Sequence, residues 1–236
     1  PRAKGLYRQL AGAIAHCHGR GIAHCDIKPE NLALDRRGYR LKLLDFGCAS
    51  HLGATIRRPR GTMPFMAPEV LLASACGGFA PAGADVWAGG LVLVEMSSGI
   101  GTMNGIMGWP ADMQASPRAG EELLTFLVER FADLRDAVQR HAAAPSPDLS
   151  ELLDAVLAAD PDLRCSAAQA LRSRWLAGGD DGLARTAPAA GGHVEEDAAL
   201  SPPPPRPQGS ARRPASRVSR TAGRAGDAAA ASSSCQ

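Results

Sequence analysis

The feature that most limits what this chain can fold into is a break in composition near Gly178. From there to Gln236 the residues are mainly Ala, Pro, Gly, Ser and Arg, with almost no large apolar side chains. Such a segment cannot bury enough surface to offset its ordering entropy, and it reads as a disordered tail over residues 178–236. The fold must therefore come from residues 1–177, which mix apolar runs with charges and are long enough to enclose one substantial core.

Charge and cysteine content narrow the class further. A formal net charge of +2 gives no reason to expect a nucleic-acid partner. Arg206, Arg212, Arg213, Arg217, Arg220 and Arg224 make the tail locally basic, read first as a solvated arm and second as a docking segment. Six cysteines in a long chain with no secretory leader point to reduced thiols and a cytoplasmic or nuclear setting. The longest apolar run, Val86 to Met96, contains two glycines and a glutamate and falls short of the ~20 residues that span a bilayer, so no membrane association is expected. The chain opens on Pro1 with a helix already in progress, so its natural start is expected upstream.

Leu6, Leu10, Ile14 and Cys17 recur at helical spacing before Gly19 and Gly21, which predicts an amphipathic helix over residues 4–18. Residues 32–34 and 39–44 flank Asp35-Arg36-Arg37-Gly38 as a small antiparallel hairpin. Residues 48–66 lack periodicity and read as a long functional loop. Helices are expected over 67–74, 84–98, 120–139, 148–158 and 166–175, with Asp148 and Ser166 as N-caps. Met103, Met107 and Met113 fall in a Gly-containing connection, where core filling is their expected role.

The polar residues gather into one chemically coherent set. Phosphoryl transfer requires a carboxylate to orient the attacking hydroxyl, a cation facing the phosphate and hard oxygen ligands for Mg²⁺. Asp26, Lys28, Asn31 and Asp45 supply those groups. In order and spacing, His24-Cys25-Asp26, Asn31, Asp45-Phe46-Gly47 and Ala67-Pro68-Glu69 resemble the H-R-D, catalytic-loop Asn, D-F-G and A-P-E of the eukaryotic protein kinases. Asp85-Val86-Trp87-Ala88-Gly89-Gly90 is similar to the family's D-x-W-x-x-G, and Arg164 resembles the arginine that pairs with the A-P-E glutamate.

The resemblance covers about residues 4–176 and implies an α+β protein-kinase-like fold, of which the mainly helical C-terminal lobe with its small hairpin is present. It implies ATP and Mg²⁺ as cofactors. Asp26, Lys28, Asn31 and Asp45 become the catalytic residues, with Asn31 and Asp45 as metal ligands. Lys28, Glu30, Asn31, Ala33 and Asp45 lie on the nucleotide side. Asp85 would brace the catalytic loop, Thr62 would bond Asp26 and Lys28, and Glu69 would pair with Arg164. Lys28 with Gly61-Thr62 looks like the serine/threonine branch, and Glu30 resembles a feature that holds a substrate arginine. The implied partner is a protein with a Ser or Thr acceptor near basic residues.

Cys25 departs from the pattern. An arginine there binds a phosphorylated activation-loop residue in the family, and a thiol cannot. The loop from Asp45 to Glu69 is therefore expected to depend less on phosphorylation, with Ser50 and Thr55 as candidate phosphosites and Arg57, Arg58 and Arg60 as either their partners or a solvated run. Cys25 and Cys48 are expected to be buried, inert thiols. His16, Cys17, His18, His24 and Cys25 lack the separated pairs of a zinc site. In the tail, Ser201 to Pro207 would form a polyproline helix, read first as a flexible extension and second as an SH3-type ligand.

No Gly-rich loop, strand lysine or partner glutamate accompanies these motifs in the sequence. Two readings follow. The chain is a piece of a serine/threonine kinase, with those phosphate-gripping groups upstream, or it is an N-lobe-less pseudokinase acting as a scaffold. The intact Asp26, Lys28, Asn31 and Asp45 set favours the enzyme.

Overall fold

Residues 81–98 form the helix around which the rest of the structure packs, because nearly every side of it is apolar. In the computed structural model, which describes residues 2–37, 39–109, 118–129 and 146–178, Val86, Trp87, Leu91, Val92, Leu93 and Val94 of this helix are all buried. A helix hydrophobic all round belongs in a core, and each such side chain stabilises the fold by roughly 1.5–3 kcal/mol. Its two glycines admit neighbours at close range. A Cβ at Gly90 would lie 2.7 Å from Leu157 Cδ2, and one at Gly89 would lie 3.0 Å from Ile14 Cδ1.

In chain order the elements are α1 (Arg2–Gly19), β1 (Ile22–Ala23), a 3₁₀ turn (Pro29–Asn31), β2 (Leu32–Leu34), β3 (Leu41–Leu43) and β4 (Ser50–His51). They continue with α2 (Pro68–Leu71), α3 (Pro81–Ser98), α4 (Thr102–Met107), α5 (Ala119–Glu129), α6 (Pro147–Val156), α7 (Ala167–Ala170) and α8 (Arg174–Ala177). All of these lie within the compact unit Pro1–Ala189. The tail expected to be disordered, its SH3-type segment, Met113 and the end of the predicted 120–139 helix lie outside the described residues.

The predicted hairpin forms as β2 and β3, antiparallel, with Ala33 opposite Lys42. Gln9 of α1 fixes its position: the side-chain amide donates to the Tyr39 carbonyl at 2.8 Å, and its oxygen accepts the Leu41 N–H at 3.0 Å. The segment expected to be wholly irregular contains a strand. β4 pairs antiparallel with β1, Ala23 opposite Ser50, and the Leu52 N–H extends the pairing to the Gly21 carbonyl at 2.9 Å. Two residues per strand are too few to leave a periodic trace.

The Gly-containing connection carries α4, and a buried carboxylate explains why a helix starts there. Glu95 accepts the Gly101 N–H and, at 2.9 Å, the Met103 N–H, capping α4 from the side of α3. Met103 is fully buried, so it fills the core as expected. At α6 the cap is Ser146 rather than Asp148, because Pro147 takes the first helical position and sets the start earlier. Ser166 caps α7 in a reciprocal box with Gln169, Ser166 N–H to Gln169 Oε1 being 2.7 Å. Among the described residues no helix is long and apolar enough to cross a membrane.

Candidate active site

The loop between β1 and the 3₁₀ turn is held in a conformation it would not adopt alone. Cys25 has φ +63°, a region a non-glycine residue occupies only at a cost. Asp85 of α3, 1% exposed, compensates. Its Oδ2 accepts the His24 N–H and its Oδ1 the Cys25 N–H, each at 2.7 Å, while His18 Nε2 from the end of α1 lies 3.0 Å from Oδ2. A buried carboxylate is tolerated when donors replace its water, and here the donors include the two amides of the strained peptide.

His24 couples this loop to the next. Its Nε2–H donates to the Leu44 carbonyl at 2.8 Å, which leaves Nδ1 as acceptor for the Asp26 N–H at 3.3 Å. Its ring meets Phe46 edge-on with centroids 4.8 Å apart. Leu44 in turn donates its N–H to the Asn31 carbonyl at 2.8 Å. Asp45 is thus tied to the loop of residues 24–31 through the residues on both sides of it. It has φ +59°, and its Oδ1 accepts the Gly47 N–H at 3.0 Å.

Asp26 is the centre of the polar cluster. Its Oδ1 accepts the Thr62 hydroxyl at 2.7 Å; its Oδ2 lies 3.0 Å from Lys28 Nζ and 3.2 Å from Asn31 Nδ2. Lys28 Nζ also donates to Thr62 Oγ1 at 2.6 Å, and Asn31 Nδ2 to the Asp26 carbonyl at 2.7 Å. Burial alone would push the Asp26 carboxyl up, but the Thr62 and Lys28 hydrogen bonds, the Lys28 charge and Asn31 together outweigh it and hold it below the usual carboxylate range. Asp26 is therefore ionised at neutral pH.

Thr62 reaches Asp26 because the residue before it is glycine. Gly61 has φ +109°, and a Cβ there would lie 2.9 Å from the Cys25 carbonyl oxygen. Farther along, α2 begins at Pro68, and Glu69 is gripped by Arg164 in a two-pronged contact, Nη1 to Oε1 at 2.5 Å and Nη2 to Oε2 at 3.0 Å. The Arg164 side chain is fully buried, also donates from Nε to the Ala158 carbonyl at 2.9 Å, and lies 5.0 Å from the Trp87 ring centroid.

The structure thus brings Asp26, Lys28, Asn31 and Thr62 into direct contact, sets Asp85 behind them, and joins Glu69 to Arg164. Asp45 flanks the cluster, Glu30 is exposed in the 3₁₀ turn, and Ala33 sits half-buried in β2. The oxygen set suits Mg²⁺. Asn31 uses its N–H groups on Asp26, its amide oxygen bonds none of the described residues, and Asp45 is exposed. Mg²⁺ takes one or two protein oxygens and completes its shell with phosphates and water. Cys25 is no nucleophile: burial first, then the Asp85 charge, push its thiol up to about 12.

Sequence reasoning did not foresee the part played by Gln9, and it read His18 as a packing residue near the loop without its contact to Asp85. Both lie on α1, outside the quoted motifs, and each acts through a backbone or buried group that no residue pattern reports.

A family model described as "Protein kinase domain" matches residues 1–176. The chain belongs to the protein kinase domain family. It is 31% identical to CBL-interacting protein kinase 16 of Oryza sativa subsp. japonica over 84% of its own length and 40% of that protein. It is 32% identical to CBL-interacting serine/threonine-protein kinase 5 of Arabidopsis thaliana over 74% of its length and 35% of that protein. With Serine/threonine-protein kinase SBK1 of Mus musculus it shares 43% identity over 41% of its length and 24% of that protein. The chain spans less than half the length of each of these curated relatives.

Proposed function

We propose that this chain carries the catalytic loop of a serine/threonine protein kinase that transfers the γ-phosphoryl group of ATP to a Ser or Thr hydroxyl of a protein. The observation that carries the reading is the Asp26 cluster, an ionised carboxylate bonded at once to Thr62, Lys28 and Asn31. Asp26 orients the acceptor hydroxyl and takes its proton. The new bond joins that oxygen to the γ-phosphorus, and the bond to the ADP oxygen breaks. Lys28 offsets charge on the transferred group, and Thr62 holds Asp26 and Lys28 in register. Asn31 and Asp45 would hold Mg²⁺, which neutralises the phosphate oxygens.

The exposed carboxylate of Glu30 favours substrates with basic residues near the acceptor. The Gly-rich loop and strand lysine that grip ATP are read as supplied by sequence outside residues 1–236. Leu34, Tyr39, Leu44 and Phe46, all exposed around the hairpin, form the apolar face such a part would cover. The test is full-length protein with γ-labelled ATP, Mg²⁺ and a basic Ser/Thr peptide. Label should appear on the hydroxyl residue and disappear in Asp45→Asn. A folded full-length protein that transfers nothing overturns the reading.

A further inference from the structure

The segment from Asp45 to Glu69 is anchored at several places by its own backbone. Its start pairs through β4 with β1, and its middle forms a bridge in which Ile56 and Phe79 exchange both backbone hydrogen bonds at 3.0 Å. Between these ties and Thr62 lies Arg60. Its Nη1 donates to the Cys48 carbonyl at 3.2 Å, joining residues 12 apart in the chain and closing the loop on itself. Arg60, Cys25, Asp26, Thr62 and Asp85 line one crevice, where the Arg60 charge acts on the Cys25 thiol. The next residue, Gly61, is pressed against the Cys25 carbonyl, and the one after that is Thr62 on Asp26.

We propose that Arg60 is a positioning residue, an internal strut that closes the activation segment from within and sets Thr62 on Asp26 without phosphorylation. The geometry gives the reason. Cys25 carries no cation to gather the segment, so the cation comes from the segment itself and takes a backbone carbonyl instead of a phosphate. Arg57 and Arg58 are exposed and form no hydrogen bond to the described residues at the loop's start, so they are not part of the strut. The role in catalysis rests on the kinase reading above; the role in ordering the segment does not.

The experiment is amide hydrogen exchange on the full-length, unphosphorylated protein, compared with Arg60→Ala, Arg60→Lys and Arg58→Ala, alongside phosphotransfer kinetics. Loss of one solvent-exposed hydrogen bond should speed exchange over residues 48–62 by about three- to tenfold, with α3 amides unchanged as the control for folding. Arg60→Lys should retain most of the protection and Arg58→Ala all of it. In the same Arg60→Ala protein kcat should fall by a similar factor with the KM for ATP unmoved. Unchanged exchange in Arg60→Ala, or an equal rise in Arg58→Ala, overturns the strut even if the protein is an active kinase. Faster exchange confined to 48–62 in a protein that transfers no phosphate leaves the strut standing and removes the kinase reading instead.

Discussion

Asp85→Asn is the substitution whose cost the structure defines most closely. Asn has almost the same shape, but it offers one carbonyl oxygen where Asp85 uses two, each 2.7 Å from a backbone nitrogen of the loop. One of the two N–H groups, of His24 or Cys25, would then face an NH₂ donor in a site that is 1% exposed. Losing a hydrogen bond to a charged group costs about 1.5–3 kcal/mol, and the stranded buried N–H costs about 1–3 more. The sum, about 2.5–6 kcal/mol, is a large share of the ~5–15 kcal/mol that holds a typical domain together. With a urea slope of roughly 2 kcal/mol per M, the unfolding midpoint should drop by about 1.3–3 M. Urea unfolding followed by circular dichroism at 25 °C measures this directly. A midpoint shift below about 0.5 M would mean that the loop does not depend on Asp85 and that its φ of +63° at Cys25 is held by something else.

Two further outcomes follow from buried groups. Glu69→Gln leaves the fully buried Arg164 cation without its counter-charge and should cost about 3–5 kcal/mol in unfolding, whereas the double change Glu69→Gln with Arg164→Met should recover part of that loss; additive costs would refute the pairing. With its thiol pushed up to about 12, Cys25 is thiolate only to the order of 10⁻⁴ or less at pH 7.5, so iodoacetamide followed by mass mapping should label the exposed Cys76 and spare Cys25. Equal labelling of the two in folded protein would contradict the burial.

Much of the polar cluster was legible in the sequence because the proposed chemistry requires fixed residue types at fixed intervals. Asp26, Lys28, Asn31 and Asp45 can be named from spacing and resemblance, and the all-apolar run of 86–94 marks the central helix. What escaped was structure decided by tertiary contact. β1 and β4 are only two residues each and exist because residues 50–52 lie along residues 21–23. α4 starts where it does because Glu95, a charge inside an apolar run, caps it from another helix. The cap of α6 lies two residues before the expected Asp148 because Pro147 takes the first helical position. Gln9 looks like an ordinary polar residue on an amphipathic helix until the hairpin it grips is in place.

The central claim is that the Asp26 carboxylate takes the proton of the attacking hydroxyl. A single-turnover measurement in full-length protein, with γ-labelled ATP, Mg²⁺ and acceptor peptide, compares wild type with Asp26→Asn. The amide keeps the size of the group but cannot accept the proton, so transfer should slow by about 10²–10⁴-fold with urea stability nearly unchanged. Transfer at the wild-type rate by a folded Asp26→Asn protein would contradict the account.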